Sequence, residues 1–407
     1  MRIFFFCATA MVLSFTAQIA LAQTWRLTGP GSNDWLCVAS SANGQTVIAG
    51  RYPGFLYVST NAGSTWTTNV TLNGYWASVA SSADGTKLMA AAEYEGSPMF
   101  SGVFLSTNAG VNWTSNNLPA LYWGSVAMSA DGKILAAAQP YNSQLNIGGS
   151  IFCSTNSGIT WTSNSLTFAC GAAMSADGRK IFVTGPEQLC YSTNFGTSWT
   201  VMTTAPPSYS FASPSQYIAS SADGNRLLMY AAQPGGNQGF IYSSTNSGAT
   251  WTPTSLPESS WSFVASSGAG QTLMAAAGGF VSGPLFVSTN AGASWTTNSS
   301  ENWAGVACSA DGGTLFAVAM SDNNSDGDSG AIFKSQFIQP PSLNVTAAGP
   351  DLLLSWLIPS TNFAPEESGD LRTWTGMTNT PSLNFANLQN QIRVSPTNRA
   401  QFYRLAH

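Results

Sequence analysis

Apolar and polar positions alternate over short stretches of this chain, and each stretch ends in a turn-forming group. In "WASVASSADGTKLMAAA" (76–92) one apolar strand runs into Ala83-Asp84-Gly85 and a second leaves it. A loop of variable length follows, then "GVFLSTN" (102–108), a second turn and "NWTSN" (112–116). The pattern predicts four antiparallel strands joined by tight turns. An Asp or Asn in such a turn bonds its own backbone, and the glycine takes a positive φ without strain.

This unit recurs. A motif near "SADG" occurs seven times, at 40–44, 81–85, 129–132, 175–178, 220–224, 266–270 and 309–312. A second motif, "STNxGxxW", follows six times, beginning at Ser59, Ser106, Ser154, Ser192, Ser244 and Ser288. The spacing is about 41 to 47 residues, which marks a solenoid or a propeller. Four strands per unit and seven units predict an all-β, seven-bladed β-propeller. The seventh unit stops at "GAIFKSQF" (330–337) without its fourth strand, and "TWRLTG" (24–29) stands alone near the start. The N-terminal stretch is expected to supply the missing strand and latch the ring, so that no sheet edge is left at a seam.

The second motif resembles the Asp-box, or bacterial neuraminidase repeat, S-x-D-x-G-x-x-W. The resemblance covers about residues 23–338. All six copies carry Asn (Asn61, Asn108, Asn156, Asn194, Asn246, Asn290) where the family has Asp. The resemblance implies a sialidase-like propeller whose boxes are structural hairpins on the edge opposite the working face. The tail, "LLLSW…EESGDLRTWTGM…AQFYRL", resembles a C-terminal module of exported bacterial proteins with an accessory or surface-association role.

The ends of the chain set the compartment. Arg2, the apolar run "IFFFCATAMVL" and the small-x-small site Ala20-Leu21-Ala22 read as a secretory signal peptide over 1–22. The propeller is expected over 23–338, a linker over 339–341 and a small β-sandwich over 342–407. No later run is long and apolar enough to span a bilayer. The protein is expected to be secreted, periplasmic or at the cell surface, and a monomer. Charged residues are 8% of the chain, with net charge -5, which leaves no basic footprint for nucleic acid. Cys37, Cys153, Cys170, Cys190 and Cys308 follow the signal, an odd number with no CxxC spacing. They read as small buried residues.

Strand order puts both turns of a unit at one end and the variable loops at the other. At the loop end the sole basic residue is Arg51, in "GRYPG". The resemblance implies that a sialidase grips its substrate carboxylate with three arginines, so sialidase activity is not expected. Trp35, Trp76, Trp123, Trp261 and Trp303 each lie eight residues before the third position of an SADG motif. Two readings are open for them: wedges between units, or an aromatic mouth that binds a sugar or a protein. Glycosidase chemistry needs two carboxylates about 5–10 Å apart, and Glu93, Glu95, Glu258 and Glu301 are the candidates. The lone His407 at the terminus removes histidine-based acid-base schemes. Asp322, Asp326 and Asp328 crowd Gly327 in "SDNNSDGDSG", which allows a Ca²⁺ site or a solvated loop. No other cofactor is expected.

The first expectation is a non-catalytic propeller that binds a glycan or protein partner across its loop end and Trp ring. The resemblance extends to Asp-box propellers that grip partner proteins during assembly of membrane complexes. The second expectation is a hydrolase of neutral polysaccharide using two of the loop-end acids.

Overall fold

The computed structural model describes residues 11–12, 24–31, 33–93, 101–116, 118–119, 122–140, 149–166, 169–185, 188–206, 218–232, 238–278, 282–321, 330–336, 343–357, 364–385, 387–395 and 401–406. All regular structure among them is β. Residues 25–336 form five four-stranded sheets and one seven-stranded sheet, every pairing antiparallel and between sequence neighbours but one. The seven-stranded sheet is two units sharing the long strand Thr67–Ser81, which pairs through its first half with Gly54–Ser59 and through its second with Leu88–Glu93.

The exception is the latch. Trp25–Leu27 pairs with Ile332–Gln336, placing Trp25 opposite Ser335 and Leu27 opposite Phe333. The start of the chain thus completes the unit made by Trp303–Cys308 and Thr314–Ala319.

Closure also has an inner seam. The backbone N–H of Ala42 donates to the carbonyl of Ala83, and the same bond runs on from Ala83 to Ala130, Ala176, Ala222, Gly268 and Ala310. Ala310 then donates back to Ala42 at 2.8 Å, so seven bonds of 2.7–3.0 Å form a closed circle. These are the alanine positions of the SADG motifs. At the one glycine of the circle even a methyl is tight: a Cβ on Gly268 would meet the Ala310 carbonyl oxygen at 3.0 Å.

The motif's other residues build the turn that presents this amide. In the second unit Ser82 Oγ donates to Asp84 Oδ1 at 2.6 Å and accepts the Lys87 N–H at 3.0 Å, while Thr86 N–H donates to Asp84. Gly85 has φ +73, and the Thr46 side chain of the unit before lies where its Cβ would stand. Neighbouring turns are therefore packed against each other as well as bonded.

The Asn boxes are rigid in the same manner. Ser59 Oγ donates to Asn61 Oδ1 and accepts the Gly63 N–H at 2.8 Å; Thr65 N–H donates to Asn61 Oδ1; Trp66 Nε1 donates to the Gly63 carbonyl at 3.0 Å. The Asn61 amide also donates to Thr65 Oγ1, a bond an aspartate cannot give. Ala62 N–H donates to the Gln45 carbonyl beside the first SADG turn, and this contact recurs in each of the six boxed units. Both turn types therefore lie at one end, as strand order requires.

Each tryptophan that opens an innermost strand is followed by a register shift, seen after Trp35, Trp76, Trp261 and Trp303. A bulge reverses the alternation of faces. It sets Trp35 with Val38, Trp76 with Val79, Trp261 with Val264 and Trp303 with Val306, each pair in one buried cluster. Trp123 and Val126 share a cluster likewise. Each indole meets an aromatic of its own unit's third strand, such as Phe104 edge-on to Trp76 at 5.6 Å.

The C-terminal residues form two further sheets. One orders Asn344–Ala348, Asp351–Leu357, Gln389–Val394 and Ser382–Asn384; the other sets Phe402–Ala406 between Ala364–Ser368 and the two-residue strand Met11–Val12. Leu354, Trp356, Ile392, Val394 and Tyr403 form their shared core.

Truncating Trp76 to Ala is expected to lower unfolding free energy by about 3–5 kcal/mol, measured by denaturant melts; a surface tryptophan would cost little. A second expectation concerns charge. Burial opposes ionisation of Asp84, Asp131 and Asp223, but hydrogen bonds from the motif serine and a backbone N–H outweigh it and hold their carboxyls low. Their contribution is present at neutral pH and lost as acid titrates them. Deeper burial leaves Asp311 with a raised carboxyl, so its ionised form opposes folding. The first unit already uses Asn43 at this position, bonded to Ser41 and Gln45 in the same way. Asp311→Asn is expected to raise the melting temperature at neutral pH and Asp131→Asn to lower it, the gap narrowing as acid takes the pH below the ordinary carboxylate range.

Candidate functional site

The shared position of the turns leaves the opposite strand ends as the loop end. There the structure corrects the aromatic-mouth expectation. Trp35, Trp76, Trp123, Trp261 and Trp303 are at most 3% exposed. Their burial between units makes them wedges that offer no face to a ligand. Trp76 Nε1 donates to the Gly54 carbonyl at 2.8 Å and Trp261 Nε1 to that of Gly239, bonds that tie the wedge to the third strand of the preceding unit.

What the described part of the loop end presents is a polar and phenolic rim on the first two units. Arg51 closes the strand Val47–Arg51 opposite Trp35. It is half-buried, and its Nε has no hydrogen-bond partner. The short connection through Tyr52 and Pro53 is held by the Tyr52 N–H, which donates to the Asp34 carbonyl at 2.8 Å. Tyr52 packs edge-on to Tyr75, ring centres 5.0 Å apart. Both phenols are half-buried. Asp34 accepts the Ser321 N–H at 3.1 Å and the Ser321 hydroxyl, so its carboxylate straps the first unit to the last. Close by in sequence to the last unit's wedge, Asn302 is buried with its Oδ1 unpaired. A half-buried guanidinium and two phenols offer binding chemistry: charge-assisted donation to an anionic or carbonyl oxygen, beside apolar ring area.

The described candidate carboxylates come from different units. Glu93 ends its strand opposite Tyr75 but is 4% exposed. Glu258 is exposed in the connection after Thr252–Pro253. Glu301 is half-buried opposite Gly283, at the end of another unit. Glu95 and the proposed Ca²⁺ ligands Asp322, Asp326 and Asp328 lie outside the described residues. Among the described residues no three His, Cys, Asp or Glu side chains are grouped to hold a metal.

The phenols were not singled out by the sequence reading, which took only the arginine from "GRYPG". The available signal was the pairing of a tyrosine beside Pro53 with one immediately before a wedge tryptophan.

The cysteines read from the sequence as small buried residues are all free thiols, three of them buried. Cys37 Sγ donates to the Trp76 carbonyl at 3.4 Å. Burial is the main reason its thiol is pushed up to about 12, with the Glu93 charge adding to it against a bond from the Gly50 backbone. Burial alone takes Cys153 to about 12 and Cys170 to about 11.

No protein-family model matches the chain, and no curated protein matches it in sequence. Solved structures do. YCF48 bound to D1 peptide superposes with TM-score 0.52 at 14% identity, covering 81% of this chain and all of that one. YCF48 from Cyanidioschyzon merolae gives TM-score 0.53 at 12% identity over 77% of this chain and 98% of its own. An ancestral GH74 enzyme gives TM-score 0.53 at 14% identity over 83% of this chain; the match spans only 54% of the enzyme. The fold is that of β-propeller proteins.

Thiol titration follows from the burial. With a thiol near 12, on the order of one molecule in ten thousand carries the reactive thiolate at about pH 8. Native protein is expected to react negligibly with a thiol reagent at Cys37, Cys153 and Cys308, and fully after denaturation. Fast reaction of the folded protein at these positions contradicts the packing.

Proposed function

We propose that this chain is an exported, non-catalytic, seven-bladed β-propeller of the Asp-box kind, with a small C-terminal β-sandwich, that binds a peptide segment of a partner protein at its loop end. Arg51, Tyr52 and Tyr75 form the centre of that site. The observation that carries the reading is the rim itself: the half-buried Arg51 next to the edge-on phenols Tyr52 and Tyr75. Support for a peptide over a glycan comes from YCF48, which has this fold along its whole length and whose structure holds a D1 peptide. The export leader and the box repeats support the placement outside the cytoplasm.

A second reading rests on the likeness to the GH74 enzyme. It makes the protein a hydrolase of a neutral polysaccharide, with acids drawn from Glu95, Glu258 and Glu301; Glu93 is too enclosed to meet a sugar chain. A Ca²⁺ ion held by Asp322, Asp326 and Asp328 is compatible with either reading.

Residues 23–407 are to be applied to a peptide library and a polysaccharide array, recording both retention and released reducing ends. The expected result is retention on peptides without release. Arg51→Gln and Tyr75→Leu are each expected to weaken it about tenfold, about 1.4 kcal/mol, with unchanged melting temperature. Retention only on glycans overturns the peptide assignment. Release that disappears on Glu95→Gln, Glu258→Gln or Glu301→Gln establishes the hydrolase instead. Variants that bind like the wild type sink the rim as the site.

A further inference from the structure

The axis of the propeller is open at the turn end, and the circle of backbone bonds fixes what that opening offers. Each Ala of the circle spends its N–H and carbonyl on its neighbours, leaving methyl groups toward the axis. Ala42, Ala83, Ala130 and Ala310 form one buried apolar cluster. Just inside lies a cavity of about 160 Å³ walled by the half-buried thioethers of Met128 and Met174 and by serine hydroxyls such as Ser81 and Ser220.

One side chain from the C-terminal residues reaches this cluster. Leu388 packs against the alanine circle and walls the cavity. It stands at the tip of the hairpin between Ser382–Asn384 and Gln389–Val394. The tip is fixed by Asn387, whose Oδ1 accepts the Gln389 N–H and whose amide donates to Gln389 Oε1, both at 3.2 Å. Leu388 has φ +55, a conformation leucine adopts at a cost and glycine freely. The other hairpin of the same sheet turns at Gly349, also left-handed, with nothing near its missing Cβ. Leu371 is left-handed too but exposed, so strain alone does not mark a contact; at Leu388 the packing does.

The route of the chain agrees. Gln336, the last residue of the propeller's final described strand, pairs with Thr314, just past the turn at Gly312. The chain therefore leaves the propeller at the turn end, beside the opening.

We propose that the axial opening at the turn end is the docking socket of the chain's own C-terminal module, with Leu388 as its stopper. The module is a cap held in place on the axis and not a tethered tail. It blocks the channel at that end, which leaves the loop end as the entrance for any ligand. The inference does not depend on what the loop end binds.

The test uses residues 23–407 in small-angle scattering and in limited proteolysis of the 337–342 connection. Wild type and Leu388→Met are expected to scatter as one compact monomer and to be cut slowly. Leu388→Asp puts a carboxylate against methyl groups, and is expected to lengthen the particle and speed cleavage by about tenfold or more, since cleavage follows the open population. Met128→Glu charges the socket from the other side, leaves the module's sequence intact and is expected to do the same. It decides the matter if Leu388→Asp unfolds the module, seen as lost dispersion of its amide resonances. Two independently moving bodies in the wild type, or cleavage unchanged in Met128→Glu, overturns the proposal. A wild-type dimer that Leu388→Asp dissolves overturns it in favour of exchange between two copies.

Discussion

The circle of amide-to-carbonyl bonds joining Ala42, Ala83, Ala130, Ala176, Ala222, Gly268 and Ala310 is the constraint on which the rest depends. Innermost strands of neighbouring units come close enough at their turn ends for backbone to bond backbone. There a backbone donor and acceptor on every unit would be buried without water, and a buried unpaired amide costs about 1–3 kcal/mol. Bonding each to the next unit satisfies all of them only if the row closes on itself. The demand explains the composition of the motif. Alanine or glycine is needed because a larger side chain would hold the backbones apart, and serine and aspartate hold the turn so that the amide points at its neighbour.

The two ends of the strands are consequently unequal. The turn end is bonded three ways: around the circle, from each Asn box to the SADG turn of its own unit, and from side chains such as Lys87, whose ammonium donates to the Asp131 carbonyl of the next unit. Little there is free to vary. Among the described residues the loop end is tied at fewer points, Asp34 to Ser321 being the clearest, and it is where loop lengths differ between units. Scaffold and recognition are thereby separated along the strand direction, the usual arrangement where loops carry function.

Much of this architecture was legible in the residues. Repeat period and turn chemistry were enough for the units and for the common end of the two turns, and the stranded "TWRLTG" foretold the pairing of Trp25–Leu27 with the final unit. The choice between wedge and mouth for the tryptophans was left open for a specific reason. Sequence spacing placed them correctly at the loop-end start of the inner strands, but for four of them side-chain direction follows a bulge, and a bulge leaves no composition signature. The alanine circle escaped notice because its partners are backbone atoms about 41 to 47 residues apart. Tyr52 and Tyr75 escaped because their meeting depends on how two neighbouring units pack, which local pattern does not encode.

The latch has a consequence in time. Trp25–Leu27 is the first described strand of the propeller to be synthesised, yet its partner, Ile332–Gln336, is the last. Until that partner exists, the unit at the seam lacks an edge and the amide of Ala310 has no settled route back to Ala42. Both closures pair residues from opposite ends of the chain, the slowest kind of contact for a polypeptide to find. Units can condense one after another as they emerge, but the ring becomes a single cooperative body only when its last strand arrives. Any process that holds back the final unit holds the whole propeller in an open, edge-exposed form.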